Sequence, residues 1–169
     1  MAGYATCSDF CGFFIADSGP LYLLAFVLTG KHAKAEQCFL ETLEDAADAD
    51  SVFAGWQGSW SKRRLIVNAI RTVFSPPVEG NVKPDAWSTT DSESLGYSAI
   101  HALAKLAPSL QRFVFVMSVL EHYSERECAI LLGCTQRDVI AARIAAMKQL
   151  PSLDPTVTQV AERNGTYDR

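Results

Sequence analysis

PSLQRFVFVMSVLEHYSERECAILLGCTQRDVIAARIAAMKQL, residues 108–150, carries the signals that decide the fold. Apolar residues recur at helical spacing between successive start and stop signals, which predicts three consecutive helices. The first, from Pro108 to Glu121, opens on a proline, whose missing N–H has no partner to lose in a first turn. Ser124 with Glu127 makes a capping box ahead of the apolar run Cys128, Ala129, Ile130, Leu131 and Leu132, and Gly133 suits the left-handed position that closes a helix. Thr135 with Asp138 repeats the device. A short helix, a glycine turn and a second capped helix have the form of a helix-turn-helix, whose second helix in many proteins enters the DNA major groove. The same pattern also describes a helical hairpin that only packs a core.

At 169 residues and 49% hydrophobic content the chain has room for one domain or two small ones with packed cores. No apolar run reaches the roughly 18 residues of a membrane span, and no basic stretch precedes an apolar one at the N-terminus. No membrane span is therefore expected, and the cytoplasm is the default location. The five cysteines, Cys7, Cys11, Cys38, Cys128 and Cys134, are odd in number and form no CxxC pair, which argues against a disulfide framework or a zinc ribbon. Cys7 and Cys11 could share a helical face, but no histidine stands beside them. His32, His101 and His122 are scattered, and no Ser/His/Asp, Cys/His or paired-carboxylate set occurs at informative spacing. The expectation is a non-enzyme without cofactor or metal.

The net charge of −4 is not that of a general nucleic-acid binder, so the location of the charges matters more than their sum. Residues 1–74 carry 6 basic and 8 acidic side chains, and residues 75–96 carry 1 and 4. Residues 97–150 carry 6 and 4, the tail 151–169 carries 2 and 3, and only the block quoted above is net basic.

Along the chain, residues 1–19 show no firm period. Asp17 or Ser18 can cap a helix that places Pro20 in its first turn and runs through LYLLAFVLTG to Gly30. Residues 31–50, KHAKAEQCFLETLEDAADAD, put Ala35, Cys38, Phe39, Thr42, Leu43 and Ala46 on one helical face, with Glu36, Gln37, Glu41, Glu44 and Asp45 largely on the other. In SVFAGWQGSWSKRRLIVNAIRTVF, residues 51–74, Trp56 and Trp60 precede Lys62, Arg63 and Arg64, with Arg71 further along. These are core tryptophans beside a basic surface, or else cations that follow phosphates and rings that stack on unpaired bases. Residues 75–96, rich in Pro, Gly, Ser and acid, have the composition of a linker. Helical spacing returns at Tyr97, and the polar tail after Leu150 is expected to fray. The predicted fold is all-α: a helical domain over 1–74, a flexible linker over 75–96, a helix-turn-helix domain over 97–150 and a tail over 151–169.

The wording of three segments adds to this. Tyr123-Ser124 before the short helix, Ile130 to Cys134 at the turn, and LAPSLQRFVFVMSVLE upstream resemble the C-terminal domain (domain 4) of bacterial sigma factors of the extracytoplasmic-function group. LYLLAFVLTGKHAKAEQCFLETLEDA is similar to the sigma domain 2 stretch with the motif AED..QETF. Ala35-Glu36, Glu41-Thr42 and Ala46 match it, while Gln37 replaces an acid and Leu40 replaces the Gln. Residues 51–74 are similar to the stretch ending W…R.ARN, with Asn68 in place of that Asn. The resemblance implies a transcription initiation factor that binds core RNA polymerase and directs it to promoter DNA. It implies that Glu36, Gln37, Glu41 and Thr42 dock on the polymerase clamp helices. It likewise implies that Trp56, Trp60, Lys62, Arg63, Arg64, Asn68 and Arg71 meet the melting strand, and that Arg126, Gln136, Arg137, Arg143 and Lys148 meet duplex DNA.

The last helix departs from the family, whose members read like TVKSRLHRAR where this chain reads DVIAARIAAMKQL. Alignment on Val139 would place Arg143 at a core leucine position, where an unpaired guanidinium is very costly. That argues for a shift by one, with Ile140, Ile144 and Met147 inward and Asp138, Ala142, Ala145 and Gln149 outward. Such an outward face holds no cation, and Arg137, Arg143 and Lys148 only flank it. Two readings follow: a divergent sigma factor, or a sigma-fold interaction protein that has lost DNA reading and binds an anti-sigma factor or another regulator.

Overall fold

The computed structural model describes residues 3–49, 51–74, 100, 102–106 and 109–153. Among them the architecture is all-α, as the periodicity requires. The linker expected over 75–96 and the tail from 154 onward lie outside the described residues.

Helix α1 spans Cys7–Thr29 and begins earlier than the sequence suggests. Thr6 and Asp9 form a capping box: the Asp9 N–H donates to Thr6 Oγ1, and the Thr6 N–H donates to Asp9 Oδ2 at 2.7 Å. The start expected at Asp17 to Pro20 survives as a break, with Asp17 at φ −110° and ψ 17° and Pro20 in the turn that follows. The segment without readable period is thus the first half of α1, and its Phe10 and Phe14 pack with Ala46 and Val52. The helix ends at Gly30 in the left-handed region, where its N–H donates to the Phe26 carbonyl. α1, with 23 residues and an 18-residue stretch of mean hydropathy 1.7, is long and apolar enough to cross a membrane by length and composition alone. In this fold its last six residues, Leu24 through Thr29, are buried in the protein core, while Leu23 is exposed.

Helices α2 (His32–Ala47) and α3 (Gln57–Phe74) pack on α1 and on each other. Between them the loop returns to the N-terminus, where the Ala5 N–H donates to the Val52 carbonyl and the Ala54 N–H to the Gly3 carbonyl. That short antiparallel bridge stacks Tyr4 on Phe53 at 5.1 Å.

Helix α4 (Ser109–Phe115) continues as a π-helical turn, Val116–Leu120. Every residue from Arg112 to Met117 is buried, the mark of a helix enclosed on all sides. Its end is loosened: the Glu121 N–H donates to the Val116 carbonyl, and His122 takes a positive φ of 56°. Helices α5 (Glu125–Leu132) and α6 (Gln136–Leu153) follow, and α6 lies on both α4 and α5. Buried residues of α1, α2 and α3 join those of α4, α5 and α6 in one cluster, with the Phe74 and Phe113 rings 5.2 Å apart.

Candidate functional site

The sequence names two surfaces, and their side chains separate into those that face solvent and those that the fold consumes. On α2, Glu36 and Gln37 are exposed and Glu41 is half-exposed, accepting a 2.8 Å hydrogen bond from the Gln37 amide. Leu40 and Leu43 are exposed among them, which leaves an apolar strip edged by carboxylates. Thr42 does not belong to that face. It is fully buried and donates to the Cys38 carbonyl at 2.6 Å, a corrected position for a residue expected on the docking surface.

Asn68 is corrected in the same way. Its buried amide donates to Thr42 Oγ1 and to Asp45 Oδ2, so it joins α3 to α2 and is not presented to a strand. Arg64 adds a two-pronged contact to Asp45, at 2.6 and 3.0 Å. The Arg64 hydrogen bonds, with Asn68 behind them, hold the Asp45 carboxyl below its ordinary value of 3.8. A carboxylate depressed in the folded state contributes stability that is present above the unfolded pKa and lost as pH falls through the folded one. An Asp45→Asn chain is expected to be less stable than the parent near neutrality, with the gap closing as pH falls below about 4. Urea unfolding across that range measures it, and a gap of constant size would contradict the assignment.

The remaining α3 cations face a different neighbour. Lys62 pairs with Glu121 at 3.1 Å, and Arg63, exposed, lies close enough to Tyr123 and Glu127 to act on their titration. Arg71 is exposed at the other end of α3. Of the two tryptophans, Trp60 packs edge-on against Phe10 at 5.3 Å, whereas Trp56 is 69% exposed at the tip of the loop before α3. Phe53 of the same loop and Tyr4 of the N-terminal segment stacked on it are also exposed, so the aromatic surface is wider than the tryptophans alone suggested. Nothing local in the sequence marks Tyr4, because the bridge that brings it there is non-local.

The α5 and α6 pair is built as the caps dictate. The Glu127 N–H donates to Ser124 Oγ, and Gly133 ends α5 at φ 65°. The Thr135 N–H donates to Asp138 Oδ2 at 2.9 Å, and the Asp138 N–H donates back to Thr135 Oγ1. Hydrogen bonds from Thr135 keep the Asp138 carboxyl below the usual range, so it stays ionised at the start of α6. Gln136 and Arg137 are exposed at that leading end, Lys148 is exposed farther along α6, and Arg126 is exposed in the first turn of α5.

The register of α6 overturns the shift argued from charge. Val139, Ala142, Ala146 and Leu150 point inward, while Ile140, Ile144 and Met147 are 36%, 48% and 45% exposed. Ala142 is therefore core, and Gln149 is half-buried with its amide donating to Gln111. The feared cost of Arg143 is avoided, because it sits at the rim of the seam and its Nη2 donates to Glu125 Oε1 at 2.7 Å. The face of α6 opposite that seam carries Arg137, Ala141, Ile144 and Lys148, with Ile140 and Met147 beside them, so the outward face expected to lack cations holds two.

Sequence reasoning also passed over Arg112. It is 8% exposed, and its Nε donates to the Leu28 carbonyl while Nη1 reaches the Ala104 and Leu106 carbonyls. Burial pushes its pKa down. The available signal was a lone cation beside the unbroken apolar run Phe113 to Met117. No protein-family model, curated protein or solved structure matches the chain.

Proposed function

We propose that the chain is a sigma-like initiation factor: the α2 face docks on core RNA polymerase, and the α5 and α6 pair acts as a helix-turn-helix toward promoter DNA. The observation that carries this reading is the doubly capped α5 and α6 pair, with Gln136 and Arg137 exposed in the first turn of α6 and Arg126 exposed in the first turn of α5. Side chains near the start of a recognition helix reach base edges, and flanking cations hold phosphates. Trp56 and the exposed rings beside it form a stacking platform for unpaired bases. Lys62 would exchange Glu121 for a phosphate, a small cost because an exposed ion pair contributes about 1 kcal/mol or less.

Docking is tested at α2. A Glu41→Lys chain, folded by circular dichroism, is expected to bind core polymerase roughly tenfold more weakly, because the change removes attraction and adds repulsion. Unchanged retention of the variant on immobilised core polymerase would remove the α2 assignment.

A second reading is favoured by a specific feature. Ile140, Ile144 and Met147 form an exposed apolar stripe beside Arg137 and Lys148, and Arg143 is tied to Glu125. That surface suits a protein partner such as an anti-sigma factor or another regulator. The two readings differ in promoter selection, which only the first requires.

A further inference from the structure

Where α1 ends and α2 begins, a cavity of about 370 Å³ opens against the start of α4. Its walls include Thr29, Gly30, Lys31, Lys34, Ser109 and Arg112. Three of these are cations, and among the described residues that line it no side chain is acidic. Such a volume lies within the range of small-molecule sites.

The Arg112 guanidinium is the deepest of the three. Nε and Nη1 are taken by carbonyl oxygens of Leu28, Ala104 and Leu106, which satisfy hydrogen bonds but leave the formal charge uncompensated. Among the described residues no carboxylate pairs with it, and its Nη2 makes no hydrogen bond. Lys34 donates to the Thr72 carbonyl at 3.2 Å, which uses one of an ammonium's three donors. Lys31 is exposed, and it occupies the N-cap of α2 without a side-chain cap. The first N–H groups of this 16-residue helix are therefore unsatisfied by any cap, and its first turn holds no acid.

We propose that this cavity binds a small phosphate-bearing anion, held by Lys31, Lys34 and Nη2 of Arg112, with the leading N–H groups of α2 as further donors. A phosphate supplies the missing counter-charge to Arg112 and accepts several hydrogen bonds at once, which a single chloride or a neutral ligand cannot do. Because α1 and α2 form one wall and Ser109 and Arg112 of α4 the other, the anion favours the state in which these helices are packed together. The site is separate from the surfaces assigned to polymerase and DNA and does not depend on either.

Calorimetric titration of the full chain with pyrophosphate, in parallel with a short single-stranded oligonucleotide, tests this. One-to-one pyrophosphate binding is expected, accompanied by a rise in the thermal midpoint. Lys31→Gln and Lys34→Gln, both at surface or half-exposed positions, should each weaken it roughly tenfold. Absence of saturation at millimolar pyrophosphate would overturn the proposal. So would binding that neither substitution alters, and so would binding of the oligonucleotide alone.

Discussion

A Phe113→Ala chain is expected to lose about 4 kcal/mol of stability, the range for emptying a fully enclosed aromatic site. Phe113 has no exposure, and its neighbours from Arg112 to Met117 are buried as well. Its ring meets Phe74 at the end of α3, so the vacated space is bounded by helices from both segments of the chain. Walls built from helices relax only partly, and the lost contacts add to the lost transfer energy. Urea unfolding monitored by circular dichroism measures the change. The shared cluster also predicts one cooperative transition for the described helices. A loss below about 1 kcal/mol would contradict the enclosure of this ring.

Arg112→Leu is expected to cost about 3 kcal/mol, or roughly 10 °C in thermal midpoint for a chain of this size. The substitution keeps an apolar stem and removes the donors to the Leu28, Ala104 and Leu106 carbonyls. Each buried acceptor left without a partner costs about 1 kcal/mol or more, and relief from burying the charge offsets part of that. Arg112→Lys should recover only part of the loss, since an ammonium does not reproduce the planar fork. Stability unchanged in Arg112→Leu would mean that these carbonyls find other partners.

The parts of the fold legible in the sequence are those fixed by neighbours close in the chain. Ser124 with Glu127, Gly133, and Thr135 with Asp138 act within a few residues of themselves, and each takes the expected geometry. The start of α1 escaped because Thr6 and Asp9 sit among small residues with no apolar period behind them, although the box itself was there to be read. The α6 register failed for a physical reason. Desolvation of Arg143 was weighed as if the guanidinium were unpaired, but Glu125, eighteen residues earlier, supplies the counter-charge. Thr42 and Asn68 were misplaced for the same kind of reason. The resemblance gave both an outward role, although helical spacing set Thr42 on the apolar face of α2, and each satisfies the other inside the α2 and α3 contact. Arg112 is the limiting case, since its acceptors include a carbonyl 84 residues away that no local pattern can supply.

The central claim is that the α5 and α6 pair directs polymerase to particular DNA, and run-off transcription tests it most directly. Core RNA polymerase reconstituted with the full chain is offered DNA selected from genomic fragments. Initiation at defined sites is predicted, with loss of site selection in Arg137→Ala and a shallower salt dependence, by about one unit in the log–log slope, in Arg126→Ala if it holds a phosphate. Polymerase that binds the chain yet initiates at no selected site would contradict the claim, and would leave the apolar stripe of Ile140, Ile144 and Met147 as the working surface of α6.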